Sequence, residues 1–316
     1  MFREKIPARQ LSAWLFAAIT PPLIQLLGGT PWPLVVALTA ISVIIVCIRW
    51  RWGGEITNRW LGLAHYAFLI ILLGTLSAES AKGWPIGDNF PAVPLILLVL
   101  AAWSAQKGVS AAARVGCVLF WFILLMYLAL FGAGVKNVQF HWIKPTSGRI
   151  NWLSAIVLLT PAAAAVFLRN EDAFKPRLLL TGVFAICAAL ITAGTLSPQV
   201  ANRMENAFYE MTRSLSIMGV ARRFEAVVSA GVTVGWFLLL SLFLSVCGKL
   251  AEELNPEWGR IGVWVSAGLS ASWLLCGLHI TGWILTVFAA VFWVLLPLLI
   301  QGLGAIKKSK KSENTP

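Results

Sequence analysis

Long apolar segments separated by short polar ones fill this chain from residue 11 to residue 304. A helix that crosses about 30 Å of hydrocarbon needs roughly 20 mostly apolar residues, and apolar windows of this kind recur ten times. The pattern predicts an all-α polytopic membrane protein with about ten transmembrane helices in one domain (11–304), between a tail at 1–10 and a basic tail at 305–316. The predicted spans are 11–29, 32–48, 60–78, 91–106, 115–133, 150–168, 178–197, 226–248, 261–278 and 282–304.

The basic residues alternate between the two sides that these spans define. With the N terminus in the cytoplasm, 17 of the 25 Lys and Arg residues fall in inner segments, as the positive-inside rule requires. The distribution predicts an integral protein of the cytoplasmic membrane with both termini inside. The inner set is Arg3, Lys5, Arg9, Arg49, Arg51, Arg59, Lys107, Arg114, Arg169, Lys175, Arg177, Lys249, Arg260, Lys307, Lys308, Lys310 and Lys311.

Composition narrows the classes of function. The chain is 59% hydrophobic and 12% charged, against roughly 25% charged residues in an average soluble domain. Its net charge of +12 is spread over short loops, so lipid headgroups explain it better than nucleic acid. No hydrolase, kinase, dinucleotide or zinc motif is present, and the five cysteines lie inside apolar segments. We therefore expect no enzyme, no cofactor and no metal site.

The segment 198–223 between the seventh and eighth spans is too polar to cross the membrane. Its apolar side chains recur at helical spacing, which predicts one amphipathic helix on the outer surface. These side chains are Met204, Phe208, Met211, Leu215 and Met218.

Proline interrupts the first and the sixth span at corresponding places, at Pro21-Pro22 and at Pro161. A proline removes a backbone donor, and loose backbone at membrane depth is tolerated only where it is buried in protein or lines a cavity. Ordinary proline kinks are the alternative. Matched interruptions five helices apart favour a substrate site between two inverted five-helix repeats, at about 11–133 and 150–304, with helices 1 and 6 broken.

If this interpretation is correct, the ligand contacts are the residues at the two breaks and the polar residues near them and in span eight. The serine and threonine hydroxyls among them could equally bond carbonyls of their own helices. The candidates are Thr20, Pro21, Pro22, Gln25, Thr160, Pro161, Ala162, Ser229 and Thr233.

His65 is the one side chain within the ten apolar cores that could be charged near neutral pH. An intramembrane ionisable residue is a candidate for function by default, so His65 could handle a proton. A neutral structural histidine is at least as good an interpretation, because His65 lies near the inner end of its span. Glu79 and Glu225 flank their spans and are expected to be solvated or paired with Lys82, Arg222 or Arg223.

Several stretches resemble the endospore germination permease family, the B subunits of spore nutrient germinant receptors, within the amino acid-polyamine-organocation transporter superfamily. They are spread along the chain in matching order: KIPARQLSAWLF, GTPWPLVVAL, WSAQKGVSAAARVGCVLFWFILLMYLAL, NVQFHWIKP and VARRFEAVVSAGVTVGWFLLLSLFL. The positions that match the family pattern are Lys107, Gly108, Arg114, Arg223 and Glu225, which this resemblance marks as structural or interfacial.

The resemblance implies a LeuT-like fold of two inverted five-helix repeats that senses a small nutrient, such as an amino acid, and promotes germination. It also implies a receptor with a larger A subunit and a lipoprotein C subunit in the spore inner membrane. Two alternatives stay open. One is a secondary amino-acid transporter with ion or proton coupling. The weaker one is a membrane enzyme that acts on lipid-linked substrates through Glu79, Asp88 or His141.

Overall fold

The computed structural model describes residues 6–52, 59–81, 92–144, 150–168, 178–204, 206–215, 224–278 and 280–296. Both terminal tails beyond these residues, and the predicted positions Asp88, Met218 and Arg223, lie outside the described ranges. Within those ranges the chain is helical and contains no strand, which confirms the all-α prediction.

The described residues contain the following elements in chain order. They are α1 Ala8–Leu27, α2 Trp32–Trp52, α3 Arg59–Ala81, α4 Ala92–Gln106, α5 Val109–Val135, α6 Trp152–Ala164, α7 Leu178–Leu196, α8 Pro198–Ala201, α9 Ala207–Ser214, α10 Phe224–Leu254, α11 Trp258–Leu275 and α12 Gly282–Ala290, with 3₁₀ turns at Phe140–Trp142 and Ala165–Leu168 and a π-helix at Val291–Leu295.

Six of the described helices are long and apolar enough to cross a membrane: α1, α2, α3, α5, α7 and α10. Shorter apolar helices occupy the predicted spans at α4, α6 and α12. The six long helices make this a polytopic integral membrane protein, whereas ten crossings, the two-repeat arrangement and the sidedness stay predictions.

Helix α1 is the centre of the bundle. It packs against α5, α6, α7 and α10, and every residue from Leu11 to Leu27 is buried. Small side chains make room for large ones here: Trp14 is fully buried, and a Cβ on Gly116 of α5 would lie 2.5 Å from its indole. Peripheral helices instead expose large apolar side chains, such as Val118 (73% exposed) and Leu125 (62%) on α5. Such a surface is suited to lipid.

The predicted break of helix 1 is wrong, since α1 continues as one α-helix through Pro21 and Pro22. Proline is tolerated inside a membrane helix where a neighbouring helix packs against it and the freed backbone groups find other partners. That neighbour is α10, where a Cβ on Gly235 would lie 2.6 Å from Pro21 Cβ and 2.9 Å from Pro22 Cδ. The two proline rings therefore occupy a notch that the glycine leaves open.

Helix α6 also remains helical through Pro161, and its geometry changes only after Ala164. From Ala165 to Leu168 the chain tightens into a 3₁₀ turn. The irregularity on α6 thus exists, but it lies one turn beyond the proline that predicted it.

In the described part of 198–223, two short helices, α8 and α9, stand where a single amphipathic helix was predicted. Of its predicted apolar face, Phe208, Met211 and Leu215 are buried, whereas Met204 is only partly buried and lies outside a helix. Helix α9 packs against α7, α10 and α1. Its apolar face therefore covers the bundle and does not lie in the lipid surface.

Candidate functional site

Two of the predicted ligand residues, Gln25 of α1 and Ser229 of α10, line one cleft, which we call the glutamine cleft. In this conformation its enclosed volume is about 20 Å³, room for about one water molecule. The full lining is Gln25, Asn206, Phe208, Tyr209, Val228, Ser229 and Val232. The walls are therefore the end of α1, the start of α10 and the apolar face of α9.

The polar groups of the glutamine cleft are partly committed to the protein. The Gln25 Oε1 atom accepts a hydrogen bond from Trp236 Nε1 at 2.6 Å, so the amide nitrogen remains as the group able to donate to a ligand. The backbone carbonyl of Ser229 accepts from Thr233 Oγ1 at 2.8 Å. By contrast, the buried Ser229 Oγ makes no hydrogen bond in the described part of the chain. An unsatisfied buried hydroxyl is costly, and a ligand that reached it would remove that cost.

Two kinds of contact hold α9 in place, burial of apolar side chains and one ion pair. Phe208 and Met211 are buried beneath it, and Arg213 lies 3.4 Å from Glu225 at the start of α10. Glu225 thus pairs with Arg213, a partner that the sequence did not suggest. The pair is largely exposed, so it contributes little stability. Burial of Phe208 and Met211 therefore contributes most to holding α9 over the cleft.

Asn206 and Tyr209 belong to the cleft, although the sequence gave no reason to choose them. Asn206 directly precedes α9, and Tyr209 lies on α9 itself. The apolar periodicity predicted this segment only as a surface helix. The cleft depends on how α9 folds back onto α1 and α10, a long-range contact that periodicity cannot supply.

The other candidates on α1 do not line the cleft. Thr20 is fully buried and its hydroxyl lies 3.4 Å from the hydroxyl of Thr181 on α7. Pro21 and Pro22 face the Gly235 notch. These contacts support helix packing at the three positions, which is the ordinary-kink interpretation of the proline pair.

The candidates on α6 are enclosed in the bundle. Thr160 and Ala162 are fully buried, and Pro161 lies inside the helix between them. The Ala162 carbonyl accepts a hydrogen bond from Trp50 Nε1 of α2 at 3.0 Å, whereas Thr160 Oγ1 has no partner among the described residues. Helix α6 packs against α1, yet none of these three residues lines the glutamine cleft.

His65 links α3 to the π-helix that continues from α12. The ring is fully buried, with Nδ1 2.8 Å from the Leu61 carbonyl and Nε2 3.0 Å from the Phe292 carbonyl. Phe292 lies in the π-helix, and Phe167 and Trp293 complete an aromatic cage around the imidazole. Both neighbours of the ring nitrogens are acceptors, and a neutral imidazole carries only one N–H.

The lining of the glutamine cleft contains no ionised side chain, and its amide, phenol and hydroxyl groups suit uncharged polar parts of a ligand. No group of three His, Cys, Asp or Glu residues in the described ranges is arranged to hold a metal ion. A search found no protein-family model that matches this chain, and no curated protein matches it.

Proposed function

We propose that this chain is the transporter-like subunit of a spore germinant receptor, which senses a small nutrient such as an amino acid within the membrane and promotes germination. Three features support the proposal: the resemblance of five stretches to germination permeases, the six membrane-crossing helices, and the glutamine cleft beside the central helix. A break in helix 1 does not support the proposal, because α1 is continuous through Pro21 and Pro22.

The unpartnered hydroxyl of Ser229 is the observation that carries the ligand site. It lines the cleft opposite Gln25, whose carbonyl oxygen is already occupied by Trp236. A ligand held between these residues would accept from the Gln25 amide nitrogen and bond the serine hydroxyl. Phe208 and Val232 would cover its apolar part. Nutrients with an uncharged side chain fit these walls best, because no ionised group faces the cleft.

A bound nutrient would act by preferring one arrangement of the bundle over another. A ligand shifts such an equilibrium only by its differential affinity for the two states. The glutamine cleft is suited to this effect because its walls belong to separate elements, with Gln25 on α1, Tyr209 on α9 and Ser229 on α10. Because the cleft in this conformation holds only about one water molecule, an amino acid would enter only when α9 moves away from α1 and α10, and its binding would favour that arrangement. No chemistry on the nutrient is required.

The first test is ligand binding by the purified full chain in nanodiscs, with uncharged amino acids screened by thermal shift. We expect a stabilising amino acid whose affinity falls about five- to ten-fold in Ser229→Ala, the cost of one hydrogen bond, and further in Gln25→Leu. Thr233→Val is the matched control, because Thr233 bonds only the Ser229 carbonyl of its own helix and lies outside the lining.

Two results would contradict this site. Equal affinity in the Ser229→Ala and wild-type proteins would place the ligand elsewhere, and the α6 variant Thr160→Val then becomes the next one to measure. No stabilisation of folded protein by any amino acid would reject nutrient binding by the isolated chain and favour a subunit that only assembles with partners.

Assembly with an A subunit and a lipoprotein C subunit is a separate part of the proposal. Co-expression with an A-type and a C-type germinant receptor subunit should yield one complex that survives purification in detergent. Migration of this chain by itself in the presence of both subunits would reject the receptor assignment, while leaving the binding test unaffected.

Secondary transport is the second candidate, and His65 is the observation that favours it. Its buried ring lies between two carbonyl acceptors. The single N–H of the neutral ring can be on either nitrogen, so its location would follow the position of the π-helix relative to α3. Proteoliposomes of the isolated chain would then accumulate the bound amino acid in a pH gradient, and His65→Gln would abolish this uptake. Binding without any flux would reject transport.

A further inference from the structure

The adjacent helices α4 and α11 expose large apolar side chains on the outside of the bundle. The two helices pack against each other, and both pack on α10. Eight of these side chains, which we call the α4–α11 face, are between 42% and 59% exposed. They are Ile96, Val99, Leu100 and Trp103 of α4 and Ile261, Trp264, Val265 and Leu269 of α11. None of them belongs to the predicted ligand set.

A hydrogen bond joins the two helices at one end of this face. Trp264 Nε1 of α11 donates to Oε1 of Gln106, the last residue of α4, at 2.7 Å. The bond uses the acceptor of the Gln106 side chain and leaves its amide nitrogen as the group able to donate. It also holds the indole of Trp264 beside the end of α4.

Lys107 directly follows Gln106 and adds a positive charge at this end of the face. Its side chain is exposed, and its Nζ lies 5.9 Å from the centroid of the Trp103 ring, within the range of a cation–π contact. It pairs with no carboxylate among the described residues. The ammonium and the neighbouring amide nitrogen of Gln106 are both donors, so together they select a negatively charged acceptor.

Arg260 of α11 lies one turn before Trp264 and is also exposed. It already interacts within the chain, so its charge is not assigned to this site. The charge that attracts an anion to the end of the α4–α11 face is therefore that of Lys107.

The length of the face matches one leaflet of a bilayer. From Gln106 back to Ile96, α4 rises about 15 Å at 1.5 Å per residue, and one leaflet is half of the ~30 Å hydrocarbon core. Tryptophan is enriched at the boundary between hydrocarbon and headgroups, and Trp103 and Trp264 lie at the polar end of this apolar stretch. A molecule with a phosphate near Lys107 and an acyl chain directed toward Ile96 would contact both parts of the surface, whereas a soluble anion would contact only the first.

We propose that the α4–α11 face binds one anionic phospholipid, whose phosphate accepts from Lys107 and Gln106 and whose acyl chain lies along Leu100 and Ile96. The two donors offer no acceptor to the ammonium of a zwitterionic headgroup, so a lipid with a net negative charge is preferred. Lys107 belongs to the predicted inner set, and the lipid is accordingly one of the inner leaflet, where anionic lipids attract basic residues. This site is independent of the glutamine cleft and of the function proposed above.

The test is native mass spectrometry of the full chain released from nanodiscs that contain equal amounts of phosphatidylglycerol and phosphatidylcholine with the same acyl chains. We expect one retained phosphatidylglycerol, favoured about five-fold over phosphatidylcholine, the effect of one basic residue at a membrane surface. Lys107→Gln should remove this preference, and Lys107→Arg should keep it within about two-fold. Gln106→Glu retains an acceptor for Trp264 but places a negative charge beside the phosphate, so it should also remove the preference.

Lys136→Gln is the matched control, because it removes one exposed positive charge at the end of α5 and should leave lipid retention unchanged. Thermal unfolding identifies the variants that are folded. Equal retention of the two lipids by folded wild-type protein overturns the proposal, and so does the same loss of phosphatidylglycerol in Lys107→Gln and Lys136→Gln. Saturable binding of inorganic phosphate in phosphatidylcholine nanodiscs, lost in Lys107→Gln and without any lipid preference, would overturn it in favour of a site for a soluble anion.

Discussion

Replacement of Gly235 by alanine should destabilise the bundle by about 1–3 kcal/mol, the range for overpacking a well-packed core. The added Cβ would lie 2.6 Å from Pro21 Cβ and 2.8 Å from its Cγ, and proline rings cannot turn aside. Helices α1 and α10 would have to separate at the centre of the bundle, where α1 is completely buried. The measurement is thermal unfolding of the variant in nanodiscs.

Gly268→Ala on α11 is the matched control for this prediction. A Cβ at Gly268 meets nothing within 4 Å, and alanine is favoured over glycine by about 1 kcal/mol inside a helix. This control should therefore be neutral or stabilising. The pair Pro21→Gly with Gly235→Ala should recover part of the lost stability, because the first change removes the ring that the second one meets. Additive losses would show that the notch is not what holds the two helices together.

The helical architecture follows closely from apolar periodicity, because each long apolar segment satisfies its own backbone hydrogen bonds. The periodicity predicted the positions of the helices, but it could not predict that α1 stays helical through Pro21 and Pro22. Local reasoning correctly recognised that two prolines remove two donors. Whether the helix breaks there depends on α10, which supplies Gly235 more than 200 residues later.

For the candidate site too, local sequence predicted some residues, whereas others depend on contacts between distant segments. Gln25 and Ser229 were predicted as isolated polar positions on two apolar helices, and the structure places both in one cleft. Asn206 and Tyr209 could not be chosen, because their membership depends on α9 folding over the bundle.

His65→Leu should destabilise the protein by about 2–4 kcal/mol. The two ring nitrogens lie 2.8 Å from the Leu61 carbonyl and 3.0 Å from the Phe292 carbonyl of the π-helix. A neutral ring donates to one of these carbonyls, so leucine would leave a buried acceptor without its donor, at about 1–3 kcal/mol. Loss of ring contacts with Phe167 and Trp293 adds to this cost. Thermal unfolding in nanodiscs measures the sum.

The conservative variant His65→Gln distinguishes a structural role of His65 from a proton-handling role. Its amide can donate to one carbonyl, which is all that a neutral imidazole can do, so most of the stability should return. If the histidine is only a structural link between α3 and the π-helix, nutrient binding and any flux should return as well. Restored stability and binding together with lost pH-driven flux would assign proton handling to His65, because glutamine reproduces the hydrogen bond but cannot exchange a proton. The exposed His141 provides the control, since His141→Gln changes neither the core nor the link to the π-helix.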